Sequence, residues 1–456
     1  MRINQVSYAA LIGLAALTVP LTAAAQDQAQ NQPLSVIDWL DRNPVAPPPT
    51  SVALPPPDES PVTRSGTVPR VTVAPLNEEA LRQVGLVPAS VSGLPTDLWN
   101  GSDPDAIGAL LADLPNLRLP AAQSLLYSLL LTEAEGPEGD RAARDAFSLA
   151  RVAALVELGA LDPAMGLIEQ AGVARDKAHF ATYMEIALLT GAEDAACTRM
   201  AQAPYLAPSQ AHRVFCAVRA GRWTDAALML DTGRALGLLA PDTAELLDRF
   251  LNADLYEDAA PLRTPRRIDA LTFRLYESIG EPLSSRALPR AYAVADLRDL
   301  AGWKSQLEAA ERLARTGALP DNRLLGLYTD RLPAASGGIW DRVEALQRFD
   351  VALRTGSPEA VTKTLPDAWR AMQAAELEVP FANLFASEVS RLPLTGRAGD
   401  ISFHMGLLSP EYEDTAAALP RTTDAASFLA AVARGQSARI PSDDPIQQAV
   451  ANGFGD

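Results

Sequence analysis

The sequence predicts an all-α protein, an irregular α-solenoid of helical hairpins placed after a proline-rich N-terminal segment. Three observations carry that expectation. The segments Gly159-Ala-Leu-Asp-Pro-Ala164, Gly191-Ala-Glu-Asp-Ala-Ala196 and Gly221-Arg-Trp-Thr-Asp-Ala226 share one template of glycine, four residues and alanine. Their glycines lie 32 and then 30 residues apart, and each falls between two helical patterns, which is the period of stacked helical hairpins. Apolar residues make up 48% of the chain but aromatic residues only 6%, so a core must be built mainly from alanine and leucine. Alanine is the best helix former and lets helices approach closely. Strand signals are sparse, the main one being Val71-Thr-Val73.

The N-terminus reads as an address. Arg2 gives a weak positive start, Ala9 to Leu21 form an apolar run interrupted by Pro20, and Ala23-Ala24-Ala25 supply a small-residue site before Gln26. That is the layout of a secretory signal peptide over residues 1–25, too short for the ~20 residues of a membrane span. No cysteine follows the cleavage site, which argues against a lipoprotein anchor, and no later stretch is apolar enough to cross a bilayer. The expectation is cleavage near Ala25 and a soluble periplasmic or secreted chain without membrane insertion. Net charge is −17, and loss of Arg2 makes it −18. Binding driven by counterion release needs clustered cations, so nucleic acid and anionic membrane surfaces are not expected partners.

Residues 26–76 read as a disordered tether. Ten prolines fall between Pro44 and Pro75, a composition that favours an extended, semi-stiff spacer. Within it, residues 34–42 form a short apolar motif in which Ser35 can cap two turns bearing Val36, Ile37, Trp39 and Leu40. So short a helix is marginal alone in water, and a tethered Trp-bearing motif is how a chain presents a docking peptide to a partner or to its own surface.

Residues 77–241 read as helical repeats. Asn77–Val84 is a first short helix, residues 86–104 a loop carrying Trp99, and Asp105–Leu114 and Pro120–Glu133 begin the array. Asp145–Leu158, Lys177–Leu189 and Ser209–Ala220 are expected first helices, each closed by its glycine and followed by a partner helix. Glycine supplies the left-handed conformation at a helix C-terminus, and Asp, Thr or Pro opens the next helix. Residues 242–434 continue as less regular hairpins: Asp242–Ala253, Arg267–Ile279, Arg286–Leu297, Ser305–Thr316, Trp340–Arg354, Pro358–Ala375, Phe381–Leu392 and Asp424–Ala433. Residues 435–456 read as a C-terminal tail.

The turn Gly221-Arg-Trp223-Thr-Asp225-Ala226 resembles the central turn of tetratricopeptide repeats, with glycine, aromatic, acid and alanine in the family's order. Gly159 with Ala164, and Gly191 with Ala196, keep the glycine and alanine without the aromatic. A small residue seven beyond each alanine (Ala171, Ala203, Gly233) and Pro208 as a closing proline also fit that family. The resemblance covers roughly residues 140–240 and implies a tetratricopeptide-like solenoid. It departs in period, and its first helices lack the family's Trp and Leu-Gly positions.

Chemistry-bearing motifs are scarce. His179, His212 and His404 have no metal-ligand or dyad spacing, and no nucleophile elbow, P-loop or dinucleotide glycine motif occurs. No catalytic residue, cofactor or metal is therefore expected. Glu277-Ser278 resembles the Glu-Ser pair of soluble lytic transglycosylases, but Ile279-Gly-Glu-Pro-Leu-Ser lacks that family's following Gly-Leu-Met-Gln motif. Cys197 and Cys216 lie symmetrically about the Pro204–Pro208 turn, and an exported pair is expected to oxidise. The alternative is two buried thiols facing apart. Together these features lead to an expected non-catalytic envelope scaffold or adaptor with a protein partner. The rivals are a cell-wall binding or processing protein and a self-associating structural protein.

Overall fold

The computed structural model describes residues 83–436 apart from 115, 116, 118 and 419–423, together with 445, 448, 449 and 453. The chain divides between Val73 and Ala74 into two units, and every described residue belongs to the second. The predicted signal peptide, the tether with Val36, Ile37, Trp39 and Leu40, residues 77–82 of the first predicted helix and most of the tail lie outside the described residues.

Regular structure among the described residues is helical. Helices α1 (Ala89–Ser92), α2 (Pro104–Ala112) and α3 (Pro120–Leu131) lead in. Three hairpins follow: α4 (Arg141–Leu158) with α5 (Leu161–Ala171), α6 (Lys177–Thr190) with α7 (Glu193–Gln202), and α8 (Gln210–Arg219) with α9 (Trp223–Ala235). Next come α10 (Pro241–Leu251), α11 (Ala270–Ser278) and α12 (Ala293–Asp296). A second array holds α13 (Trp303–Ala314), α14 (Asp321–Thr329), α15 (Ile339–Arg354), α16 (Pro358–Gln373), α17 (Glu378–Val389), α18 (Gly396–Leu408), α19 (Tyr412–Ala418) and α20 (Asp424–Ala433). Neighbouring helices pack as antiparallel hairpins, α15 on α16, α8 on α9 and α17 on α18 most extensively.

The repeated glycines end helices as their spacing predicts. Gly159, Gly191 and Gly221 have φ of 82°, 85° and 72°. The next amide in each case bonds to the carbonyl five residues back, Ala160 to Leu155, Ala192 to Ala187 and Arg222 to Ala217, which closes a Schellman cap. Ala164, Ala196 and Ala226, five residues after these glycines, are fully buried where the hairpin helices cross. Gly233 is small for a packing reason, since a Cβ there would meet Leu239 at 2.8 Å.

One main core runs from Leu126 to Ala295 and a second from Ala293 to Met405. The two meet around α12, so the sequence division at 241/242 falls inside the first core. The expected helix Arg286–Leu297 is instead two 3-10 turns, Ser285–Ala287 and Arg290–Tyr292, ahead of the single turn of α12. Pro289 explains the correction: it lacks an amide proton and holds Leu288 extended at φ −93° and ψ 165°. Val84 is likewise not helical, but forms an isolated antiparallel bridge with Ala134.

The lead-in segment is fixed by Arg151 of α4, which is 2% exposed. Its guanidinium donates to the carbonyls of Leu130 (2.6 and 3.0 Å), Thr132 (3.0 Å) and Val84 (2.8 Å). Burial draws its pKa down to about 10, so it stays charged at neutral pH. A charge buried against carbonyls alone is tolerated because every donor direction in use meets an acceptor. The chain runs so close here that a Cβ on Gly85 would overlap Thr132 and Glu133.

Candidate functional site

In an open array of helical hairpins the first helices line one face, which is the natural groove for a ligand. Here the chain fills that face itself. Helix α6 has eight buried residues in fourteen, including Phe180, Tyr183, Met184, Ile186, Leu188 and Leu189, and keeps only a narrow exposed edge at Lys177, Ala178 and Glu185. Helices α11 and α12 pack against it, and the Arg290–Tyr292 turn packs against α4. Phe273 meets Tyr292 edge to face at 5.3 Å, and the Tyr292 hydroxyl donates to the Ile268 carbonyl at 3.0 Å. Arg290 donates to the Glu157 carbonyl at 3.1 Å, and Thr316 Oγ1 to that of Leu158 at 2.9 Å. Gly159 therefore has a second role beyond its cap, because a Cβ there would strike Leu313.

A buried charge relay clamps this closure. Glu193, at the start of α7, is 2% exposed and accepts from Arg274 of α11 at 2.5 Å. Glu277, one turn further along α11, also accepts from Arg274, and Arg298 donates to its Oε1 at 2.8 Å and its Oε2 at 2.9 Å. Burial lowers the pKa of Arg298, and the charges of Glu193 and Asp296 oppose that shift. Both oxygens of Glu277 are thus taken by guanidinium groups, and the Ser278 hydroxyl turns back to the Arg274 carbonyl at 2.7 Å. The Glu277-Ser278 pair is part of the clamp and presents neither group freely to a ligand.

Beside the clamp lies a polar cleft of about 540 Å³ between α11, the 280–302 segment and α13. Glu277, Asp296 and Glu308 bring carboxylates to it, and Arg286 and Arg312 bring guanidinium groups. Asp296 accepts from the Ser285 hydroxyl, and burial raises its pKa against the opposing effects of that bond and of Arg298 and Arg312. Arg312 donates to the Ser285 carbonyl at 2.9 Å and to that of Leu288. Arg286 pairs with Glu308. Each cation in the cleft is already engaged, so the arrangement stabilises the loop. Sequence reasoning missed this set because its members come from four separate segments with no common spacing.

The remaining predicted residues are placed as follows. Cys197 of α7 and Cys216 of α8 form a disulfide with Cα atoms 5.2 Å apart, across the Pro204–Leu206 turn. Trp223 is 54% exposed at the start of α9, so the aromatic of the Gly221–Ala226 turn faces outward. His179 is fully buried, with Nδ1 3.0 Å from Asp176 Oδ2, and Asp176 also caps α6 by accepting from the Ala178 and His179 amides. His212 is half-buried with Nδ1 2.9 Å from the Ser209 hydroxyl. Burial pulls its pKa down to about 4, against the attraction of Asp269. Among the described residues, no group of three or more His, Cys, Asp or Glu is placed to hold a metal ion. No helix there is long and apolar enough to cross a membrane.

The chain was compared with protein-family models, curated proteins and solved structures, and it matches none of them.

Proposed function

We propose that this is an exported interaction scaffold of the cell envelope, built from tetratricopeptide-like hairpins and working without chemistry of its own. The observation that carries this reading is the hairpin array with its inner face already filled by α11, α12 and the Arg290–Tyr292 turn. Such an array is a rigid body that offers its outer helices to other proteins. The outer helix α9 and its flank keep Trp223, Leu228, Leu236 and Leu238 exposed. Aromatic and aliphatic anchors of this kind supply most of the energy at protein interfaces. Export is supported by the Cys197–Cys216 disulfide, which suits an oxidising compartment, and by the leader-like composition of residues 1–25. The net charge of −17 favours a protein partner over nucleic acid.

In this reading the 34–42 motif is a second contact point, delivered by the proline-rich tether to a partner. The test is affinity capture from crosslinked envelopes with wild type and with Trp39→Ala plus Leu40→Ala. Specific proteins captured by wild type and lost from the variant support the scaffold reading and name the partner. Capture of nothing by either form contradicts it.

A further inference from the structure

A second cleft, of about 660 Å³, is lined by the end of α13, the starts of α14 and α17, the Arg290–Tyr292 turn and the start of α3. Its size falls within the roughly 300–1,000 Å³ of small-molecule sites. Both signs of charge line it. Arg290, Arg312 and Arg315 bring guanidinium groups, and Asp321, Glu376 and Glu378 bring carboxylates.

Backbone carbonyls fix all three guanidinium groups. Arg290 donates to the Glu157 carbonyl at 3.1 Å, Arg312 to those of Ser285 and Leu288, and Arg315 Nε to that of Ala375 at 2.7 Å. A carbonyl occupies a guanidinium N–H without cancelling the charge. Burial lowers the pKa of Arg312, and the charges of Arg290 and Arg315 lower it further, against Asp296 and Glu157. Positive charge is thus crowded into one place. Arg315 is exposed, comes no nearer than 3.6 Å to Glu311, and its Nη1 makes no hydrogen bond among the described residues.

Two of the carboxylates are little compensated. Asp321 accepts from the Asn383 amide at 2.9 Å, and burial raises its pKa against that bond. Glu378 Oε2 is buried and has no hydrogen-bond partner among the described residues. Neither Arg312 nor Arg315 forms an ion pair with Asp321 or Glu378, although all four line the same space. Glu376 comes to the cleft from left-handed backbone, φ 57°, where glycine would cost less. Buried charge left unpaired is costly, and a ligand carrying both signs would relieve the two sets together.

We propose that this cleft binds a short peptide with free termini, its carboxylate taken by Arg290 and Arg315 and its ammonium by Glu376 and Glu378. Leu319 and Val379 add apolar surface for its side chains. The site is independent of the partner surfaces on α9 and in the 34–42 motif, so it stands or falls without them.

The test is isothermal titration of the full chain with L-alanyl-L-alanine. The expected result is saturable binding with a Kd below about 1 mM, weakened at least ~10-fold when the dipeptide is N-acetylated or C-amidated. Arg315→Gln and Glu378→Gln should each weaken binding to a similar degree. Glu376→Gly should bind more weakly yet unfold at a higher denaturant midpoint, a combination that damage to the fold does not produce. No binding at about 10 mM dipeptide overturns the proposal. So does binding that survives blocking of either terminus, or that is unchanged in Arg315→Gln or Glu378→Gln.

Discussion

The two arrays solve the same packing problem in opposite ways. In the first, α6 is packed by its hairpin neighbours and by α11 and α12, which leaves only Lys177, Ala178 and Glu185 of it exposed. In the second, α15 and α16 each keep one exposed side, and the array ends in an open groove. Buried charge follows the same division. The first array buries Arg151 against backbone carbonyls, tying the lead-in segment to α4. The second buries Glu311 of α13, which takes a bidentate pair from Arg342 of α15 at 2.7 and 2.9 Å and the Tyr328 hydroxyl of α14 at 2.5 Å. Closure in the first region therefore rests on segments distant in sequence, and cohesion in the second on adjacent helices.

The largest effect should come from breaking the tie between α4 and the lead-in segment. Arg151→Leu takes the donor from the buried carbonyls of Leu130 and Thr132 and from the half-buried one of Val84, and should cost about 3–5 kcal/mol, read by denaturant unfolding, with faster exchange at Val84 and Val87. Next is the staple between α7 and α8. Cys197→Ser plus Cys216→Ser should cost about 3 kcal/mol in the chain-entropy model, and oxidised wild type should show no alkylatable thiol under denaturing conditions. Two free thiols in the exported protein would contradict the pairing.

The second array should respond more locally. Tyr328→Phe removes one bond to a buried carboxylate and should cost about 2 kcal/mol, while leaving exchange in α6 unchanged. His212 gives a pH test of the first array. Its folded pKa of about 4 lies below its ordinary value of 6.5, so the unfolded chain binds the extra proton between those values. Stability should thus fall by about 2 kcal/mol as pH drops from 6.5 to 4, and His212→Gln should flatten that slope. The smallest effect is at Glu376, which holds φ of 57° after α16 where glycine is usual. Glu376→Gly should gain about 0.5–1 kcal/mol, measured as a shift in denaturation midpoint.

What was legible in the sequence follows the same contrast. Gly159, Gly191 and Gly221 announced their hairpins because a Schellman cap needs left-handed backbone at a fixed place. The Cys197–Cys216 pairing was readable because both residues flank one turn. Helix α18 was missed because Gly396, Gly399 and Gly406 depress helix propensity. Its stability comes from tertiary contact, since a Cβ on Gly406 would meet Thr415 of α19. Helix α14 was missed too, a nine-residue helix with Gly326 inside it. The closure over α6 was invisible for a deeper reason. Nothing in the spacing of α6 says which distant segment covers its second face, and Glu193, Arg274 and Arg298 become partners only once the chain has folded back.

The closure itself is tested most directly by native-state hydrogen exchange comparing residues 177–190 with 270–296. If α11 and α12 are an integral part of the first core, both segments exchange together, at the slowest rate in the molecule, and Arg274→Ala speeds both in step. If 270–296 opens at low cost while 177–190 stays protected, the cover is a loosely held flap and the account of a sealed inner face is wrong.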